Sequence, residues 1–163
     1  LNEYLHQIDI LAGGVPCQAW SQAGKRLGLQ DVRGTLFNDF IRLVDECEPK
    51  VFLIENVVGL TTHNNGQTLE HLLSLLHRTT TNRVVYVTNV KILNANDFGV
   101  PQKRKRVIII GIRSDTNRTS VYEYPEPMAY KPTMKDALRN CSASEGEKYP
   151  QKKADIMRLV PAG

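Results

Sequence analysis

Apolar positions along this chain follow two patterns. Short continuous runs at Ile8 to Leu11, Val51-Phe52-Leu53-Ile54, Val84 to Leu93 and Val107 to Ile112 predict strands. Unbroken runs, rather than alternating ones, suit strands covered on both faces. Between the first two, Leu36, Phe37, Phe40, Ile41, Val44 and Cys47 recur at the spacing of one helical face, and Glu48-Pro49 ends that helix because proline has no N–H to continue the ladder. Leu69, Leu72, Leu73 and Leu76 predict a second helix. The alternation of strand and helix implies an α/β protein built on a doubly wound sheet with flanking helices.

The pattern weakens after Arg113. Pro125, Pro127 and Pro132 interrupt a Tyr-rich stretch, and a polar run extends from Ser142 to Lys153. Residues 114–163 therefore read as a loop-rich connection appended to a domain at residues 1–113. Met134 to Leu138 fits a short helix and Ile156 to Val160 another short apolar element. There is no internal repeat.

Composition narrows the classes. With 41% hydrophobic and 23% charged residues among 163, the chain is long enough for one domain with a real core. No apolar run approaches the roughly 20 residues that cross a bilayer. The net charge of +4 permits attraction to a polyanion without requiring it. The three cysteines, Cys17, Cys47 and Cys141, form no Cys-x-x-Cys pair, and the four histidines, His6, His63, His71 and His77, have no paired-ligand spacing. We expect no metal and no disulfide framework. Without a basic segment leading an apolar signal core, a cytoplasmic protein is expected.

Three stretches carry chemistry. In Gly13-Gly14-Val15-Pro16-Cys17-Gln18-Ala19-Trp20-Ser21 a thiol sits in a Gly/Pro turn straight after the first strand, where open α/β sheets build their sites. Cys17 alone reads equally as a small packed hydrophobe, since a free thiol of pKa ~8.5 is mostly protonated at neutral pH. The second strand ends in Ile54-Glu55-Asn56-Val57 and brings a carboxyl group to the same edge. Burial there would favour its protonated form, although Glu55 would also serve as a turn cap or a surface ion-pair partner. Gly99-Val100-Pro101-Gln102-Lys103-Arg104-Lys105-Arg106 enters the last strand, so alternation puts Gln102, Arg104 and Arg106 on one face. By itself that run also fits a solvated basic edge.

Taken together with Ala23-Gly24-Lys25-Arg26-Leu27-Gly28-Leu29-Gln30-Asp31-Val32-Arg33-Gly34-Thr35-Leu36-Phe37, these motifs resemble, in order and separation, the catalytic core of DNA cytosine-5 methyltransferases over residues 8 to 113. The resemblance implies an incomplete doubly wound Rossmann-like methyltransferase sheet and S-adenosyl-L-methionine as cofactor. It makes Cys17 the nucleophile, Glu55 the group that holds and protonates the ring, and Arg104 and Arg106 clamps on the cytosine and the loop, supported by Gln102. Pro16 and Asn38 would lie on the cofactor side. Gln18 and Ser21 would contact the DNA backbone, as would Lys25, Arg26 and Arg33 in a Gly-rich lid from Ser21 to Gly34 that also reads as an ordinary flexible loop. Val15 stands where family members often have a second proline.

Carbon 5 of cytosine is a poor nucleophile, so the implied reaction needs thiolate addition at carbon 6 of a base swung out of double-stranded DNA. The family's opening Gly-rich cofactor turn, its target recognition region and its final motif have no counterpart here. We expect a piece of an enzyme, complemented by a further segment or subunit, that by itself exposes a sheet edge, is unstable or self-associating and does not bind the cofactor measurably. A noncatalytic DNA-binding remnant or regulatory half and a tRNA cytosine-5 methyltransferase are the competing readings. A thiol redox protein accounts for neither Glu55 nor the Gln102 to Arg106 run. A bacterial or phage modification enzyme, as in a restriction-modification system, is the implied setting.

Overall fold

The computed structural model describes residues 7–15, 35–77, 84–115, 122–141 and 150–160. Their apolar runs assemble one sheet. Strand β1 (Ile10–Gly13) lies parallel to β2 (Val51–Val57), with Ile10 opposite Val51 and Gly13 opposite Ile54. Parallel neighbours need a crossover, and helix α1 (Thr35–Cys47) lies between them in sequence. Strands β3 (Tyr86–Asn94) and β4 (Lys105–Arg113) complete the order β1-β2-β4-β3. β4 is antiparallel to both of its neighbours. That reversal is invisible in an apolar run, which has a period but no direction.

The first strand begins two residues later than its apolar run. Asp9 instead accepts a hydrogen bond from the Val51 amide at 2.9 Å and pairs with Lys50 at 2.6 Å, which fixes the entry to the sheet. A short helix α2 (Gly59–Thr62) and a 3-10 turn at His63–Gly66 lead into α3 (Gln67–Leu76). Asn64, Asn65 and Gly66 take left-handed φ of 50°, 55° and 88° in that turn, as their residue types allow.

The core lies on one face of the sheet. Phe37, Phe40 and Val44 from α1 and Leu72 and Leu76 from α3 close over Phe52, Ile54, Val107 and Ile109. The Phe40 and Phe52 rings meet edge to face at 6.4 Å, and Tyr86 continues the cluster 5.1 Å from Phe52. Gly111 is required here, because a Cβ at that position would enter the Phe52 ring. Fully burying side chains of this size contributes about 1.5–3 kcal/mol each.

Helix α4 spans Met134–Leu138 as its sequence predicts, opened by a capping box in which Thr133 and Asp136 satisfy each other's backbone amides. Helix α5 (Gln151–Arg158) departs from expectation, for it starts inside the polar run read as loop. Gln151 reaches Asp155 one turn on at 2.7 Å, a polar pairing that leaves no apolar stripe in the sequence. Among the described residues no helix is long and apolar enough to cross a membrane.

Candidate active site at the ends of the first two strands

Because Gly13 is opposite Ile54, β1 gives way to Gly14-Val15 just where β2 continues through Glu55-Asn56-Val57, still paired with β4. Strand alternation divides the second group between two faces. Asn56 points into the core, 1% exposed, while the Glu55 side chain retains 38% exposure on the opposite face. A Cβ on Gly14 would stand only 3.8 Å from Glu55 Oε2, so the turn and the carboxylate share one rim.

The antiparallel register supplies the cations. Glu55 faces Ile108 and Val57 faces Arg106, which makes Glu55 and Arg106 diagonal neighbours on one face. Arg106 Nε donates to Glu55 Oε1 at 2.8 Å, and Arg106 Nη1 donates to the Lys105 carbonyl at 2.8 Å and steadies the guanidinium. Arg104 Nη2 approaches the same Glu55 oxygen at 3.7 Å. With Arg104 49% exposed, Arg106 25% and Glu55 38%, the cluster contributes little stability. Pairs this open are worth about 0–1 kcal/mol. What it supplies is orientation of one carboxylate between two forked donors that remain open to a ligand.

Glu55 is thus less buried than its sequence context predicts, because a cation, not an apolar wall, meets its carboxylate. Gln102 lies in a bend before the strand, exposed, with its backbone N–H donating to the Val100 carbonyl at 2.7 Å. Pro101 cannot enter a central ladder, so the expected one-face alternation holds for Arg104 and Arg106 only. Asn38 is exposed on α1. The other predicted site residues, Pro16, Cys17, Gln18, Ser21, Lys25, Arg26 and Arg33, lie outside the described residues.

Two features escaped sequence reasoning. Asn56 Nδ2 donates to the Val15 carbonyl at 3.4 Å while its Oδ1 accepts from the Val57 amide at 2.8 Å, tying the turn that leads to Cys17 onto β2. An asparagine inside an otherwise apolar strand was the available signal. The second is an open, apolar hollow of about 250 Å³ beside that turn, lined by Gly13, Gly14, Val15, Leu36, Asp39, Phe40 and Leu43. A Cβ on Gly13 would lie 2.6 Å from the Phe40 ring, so glycine keeps the floor flat. Asn38 sits between two lining residues in sequence without lining the hollow.

The other thiols are placed differently. Cys47 is buried on α1, and burial, reinforced by the Glu46 carboxylate, pushes its thiol up from the ordinary range. Cys141 is exposed and donates to the Ala137 carbonyl at 3.4 Å. Among the described residues no three His, Cys, Asp or Glu side chains gather as a metal site.

A parallel pair joined by a helix, a reversed strand beside it and a polar cluster at the strand ends define a Rossmann-like methyltransferase fold. A DNA modification methyltransferase encoded within an Escherichia coli prophage shares it, with a TM-score of 0.63 and 30% identity over 83% of this chain and 35% of its own. Spodoptera frugiperda DNMT2, at 19% identity, shares the fold with a TM-score of 0.57 over 94% of this chain and 46% of its own. The family model for C-5 cytosine-specific DNA methylase matches residues 2–159, and the chain belongs to that family. It is 43% identical to the type II methyltransferase M.Eco47II of Escherichia coli over 98% of its length and 39% of the relative's. Against M.Sau96I of Staphylococcus aureus the identity is 42%, over all of this chain and 37% of the relative.

Proposed function

We propose that this chain is the catalytic part of an enzyme that methylates carbon 5 of cytosine in double-stranded DNA, completed by a further segment or subunit. The observation that carries the reading is the Glu55 carboxylate held by Arg106 and Arg104 on the rim it shares with Gly14-Val15, two residues before Cys17. A carboxyl group there suits the N3 and amino edge of a cytosine, a pattern of one acceptor and one donor. The two guanidinium groups suit its carbonyl oxygen and the adjoining backbone, with Gln102 in support.

The hollow fits part of S-adenosyl-L-methionine. At about 250 Å³ it lies below the usual 300–1,000 Å³ of a complete ligand pocket, which matches one flat ring system rather than a whole cofactor. Leu36, Phe40 and Val15 would hold that ring and Asp39 a polar edge, with Pro16 and Asn38 assigned nearby by family resemblance. When bound, the cofactor supplies an electrophilic methyl group. The chain's task is to make carbon 5 receptive. Cys17 as thiolate adds to carbon 6 of the flipped base, and the electron pair moves towards carbon 5 and N3, where Glu55 supplies a proton or hydrogen bond. After methylation, loss of the carbon 5 proton restores the ring and expels the Cys17 sulfur.

Gln18, Ser21, Lys25, Arg26 and Arg33 would meet DNA phosphates, whose contacts position a protein without reading sequence. The type II methyltransferases among the relatives support a place in the cytoplasm of a bacterial or phage-infected cell, in a modification system. The test is transfer of labelled methyl from S-adenosylmethionine to duplex DNA by the whole protein carrying this chain, with digestion to nucleosides. 5-Methylcytosine is expected. Label on an exocyclic amine, or on tRNA alone, would contradict the reading.

A further inference from the structure

Resting on the assignment of Arg104 to the cytosine site, we propose that Asn96 is a positioning residue that acts through the loop backbone to hold Arg104 against Glu55. The segment from Ala95 to Arg104 is closed at its neck by the Ala95 amide donating to the Arg104 carbonyl at 2.9 Å. Asn96, next in the chain, is 8% exposed. Its Nδ2 donates to the Val100 carbonyl at 3.1 Å and to the Pro132 carbonyl at 2.8 Å, so both amide hydrogens are engaged.

The Val100 carbonyl is the pivot of the loop. It also accepts from the Gln102 amide at 2.7 Å, turning the chain around Pro101 towards Arg104. Asn96 therefore fixes this pivot from inside while its neighbour Ala95 fixes Arg104 from the neck. The Pro132 bond anchors the same side chain to a second stretch, itself fastened where the Met128 amide donates to the Asp97 carbonyl at 2.8 Å and Lys131 pairs with Asp97 at 2.7 Å. Gly99, left-handed at φ 86°, lets the chain fold back beneath Met128.

This anchoring matters because Arg104 stands 3.7 Å from Glu55, beyond hydrogen-bonding distance, whereas Arg106 at 2.8 Å is bonded and sits within β4. Arg104 belongs to the loop, so loop geometry decides whether it reaches a base. A misplacement of about 1 Å can cost about 100-fold in rate. Only a donor suits the Asn96 position, since two carbonyl oxygens face it.

The test is a double-mutant cycle of Asn96→Ala and Arg104→Ala in the whole protein, reading methyl transfer to duplex DNA with kcat counted per active site titrated on 5-fluorocytosine DNA. Asn96→Ala should lower kcat by about 10- to 100-fold with KM for DNA nearly unchanged, and the double variant should lose little more than Arg104→Ala alone. Asn96→Asp, which sets a carboxylate against both carbonyls, should be worse than alanine. Independent, additive losses would overturn the role of Asn96, as would an unchanged kcat per titrated site in Asn96→Ala. An unchanged kcat in Arg104→Ala would overturn the underlying site assignment instead. Should Asn96→Ala fail to fold, Asn96→Ser, which keeps a hydroxyl, enters the same cycle.

Discussion

Glutamate and arginine meet at both ends of β2, with opposite consequences. At the amino end Glu48 is 4% exposed, Arg113 donates to the Glu48 carbonyl and to Asp115, and the Tyr86 hydroxyl donates to the Pro49 carbonyl at 2.8 Å. Arg113 Nη1 and the Tyr86 hydroxyl are thus spent on backbone carbonyls of the turn that ends α1, where Glu48 takes a left-handed φ of 45°. At the carboxyl end Glu55, Arg104 and Arg106 face one another in a partly open cluster. Buried groups bonded to backbone hold a fold together, whereas open groups aimed at one another are available to a ligand. The same residue types thus serve structure at one end and, in the proposed function, chemistry at the other.

Exchange of Glu55 for glutamine should separate the two ends most sharply. Glu55→Gln removes the ionisable proton and is expected to lower methyl transfer by about 100- to 10,000-fold, the range for a positioned general acid or base. Thermal unfolding should change by no more than about 1 kcal/mol, since the pair is open to solvent. Tyr86→Phe should do the reverse. It strands the Pro49 carbonyl in the core and should destabilise the protein by about 1–3 kcal/mol in denaturant titration, while kcat per folded molecule holds.

Asn56→Ala lies between these extremes, because it touches both core and site. Loss of its bond to Val15 should cost about 1 kcal/mol in unfolding and a measurable fraction of kcat, since the turn before Cys17 loses its tether. A smaller effect concerns pH. Burial, then the neighbouring Tyr122, pushes Tyr124 up to about 12 from 10.0. A group whose folded pKa is raised contributes stability fully present below its unfolded value. Stability should therefore fall as pH climbs from 10 towards 12, and absorbance titration should show Tyr124 ionising after the exposed tyrosines.

Much of the fold was legible in the sequence because burial dictates it. Phe37, Phe40, Val44 and Cys47 mark the inner face of α1 through their spacing alone, and the short helix α4 at Met134–Leu138 stands where the sequence predicts one. Direction and polarity were harder. The run Val107 to Ile112 predicts a strand without revealing that it runs against β2, and helix α5 is held by Gln151 and Asp155 with no apolar stripe to announce it. The candidate site divides in the same way. That Glu55, Arg104 and Arg106 come together was readable from strand ends and alternation, whereas the backbone carbonyls to which Asn56 and Asn96 donate are recorded in no residue pattern.

The most direct test of the central claim is covalent capture. Duplex DNA carrying 5-fluorocytosine at its target base cannot lose fluorine from carbon 5, so a thiolate that has added stays attached. In the presence of S-adenosylmethionine, mass spectrometry of the whole protein should find the DNA on the Cys17 peptide, with adduct formation slowed in Glu55→Gln and absent in Cys17→Ser. An adduct on Cys47 or Cys141, or methylated product that forms undiminished in Cys17→Ser, would contradict the account.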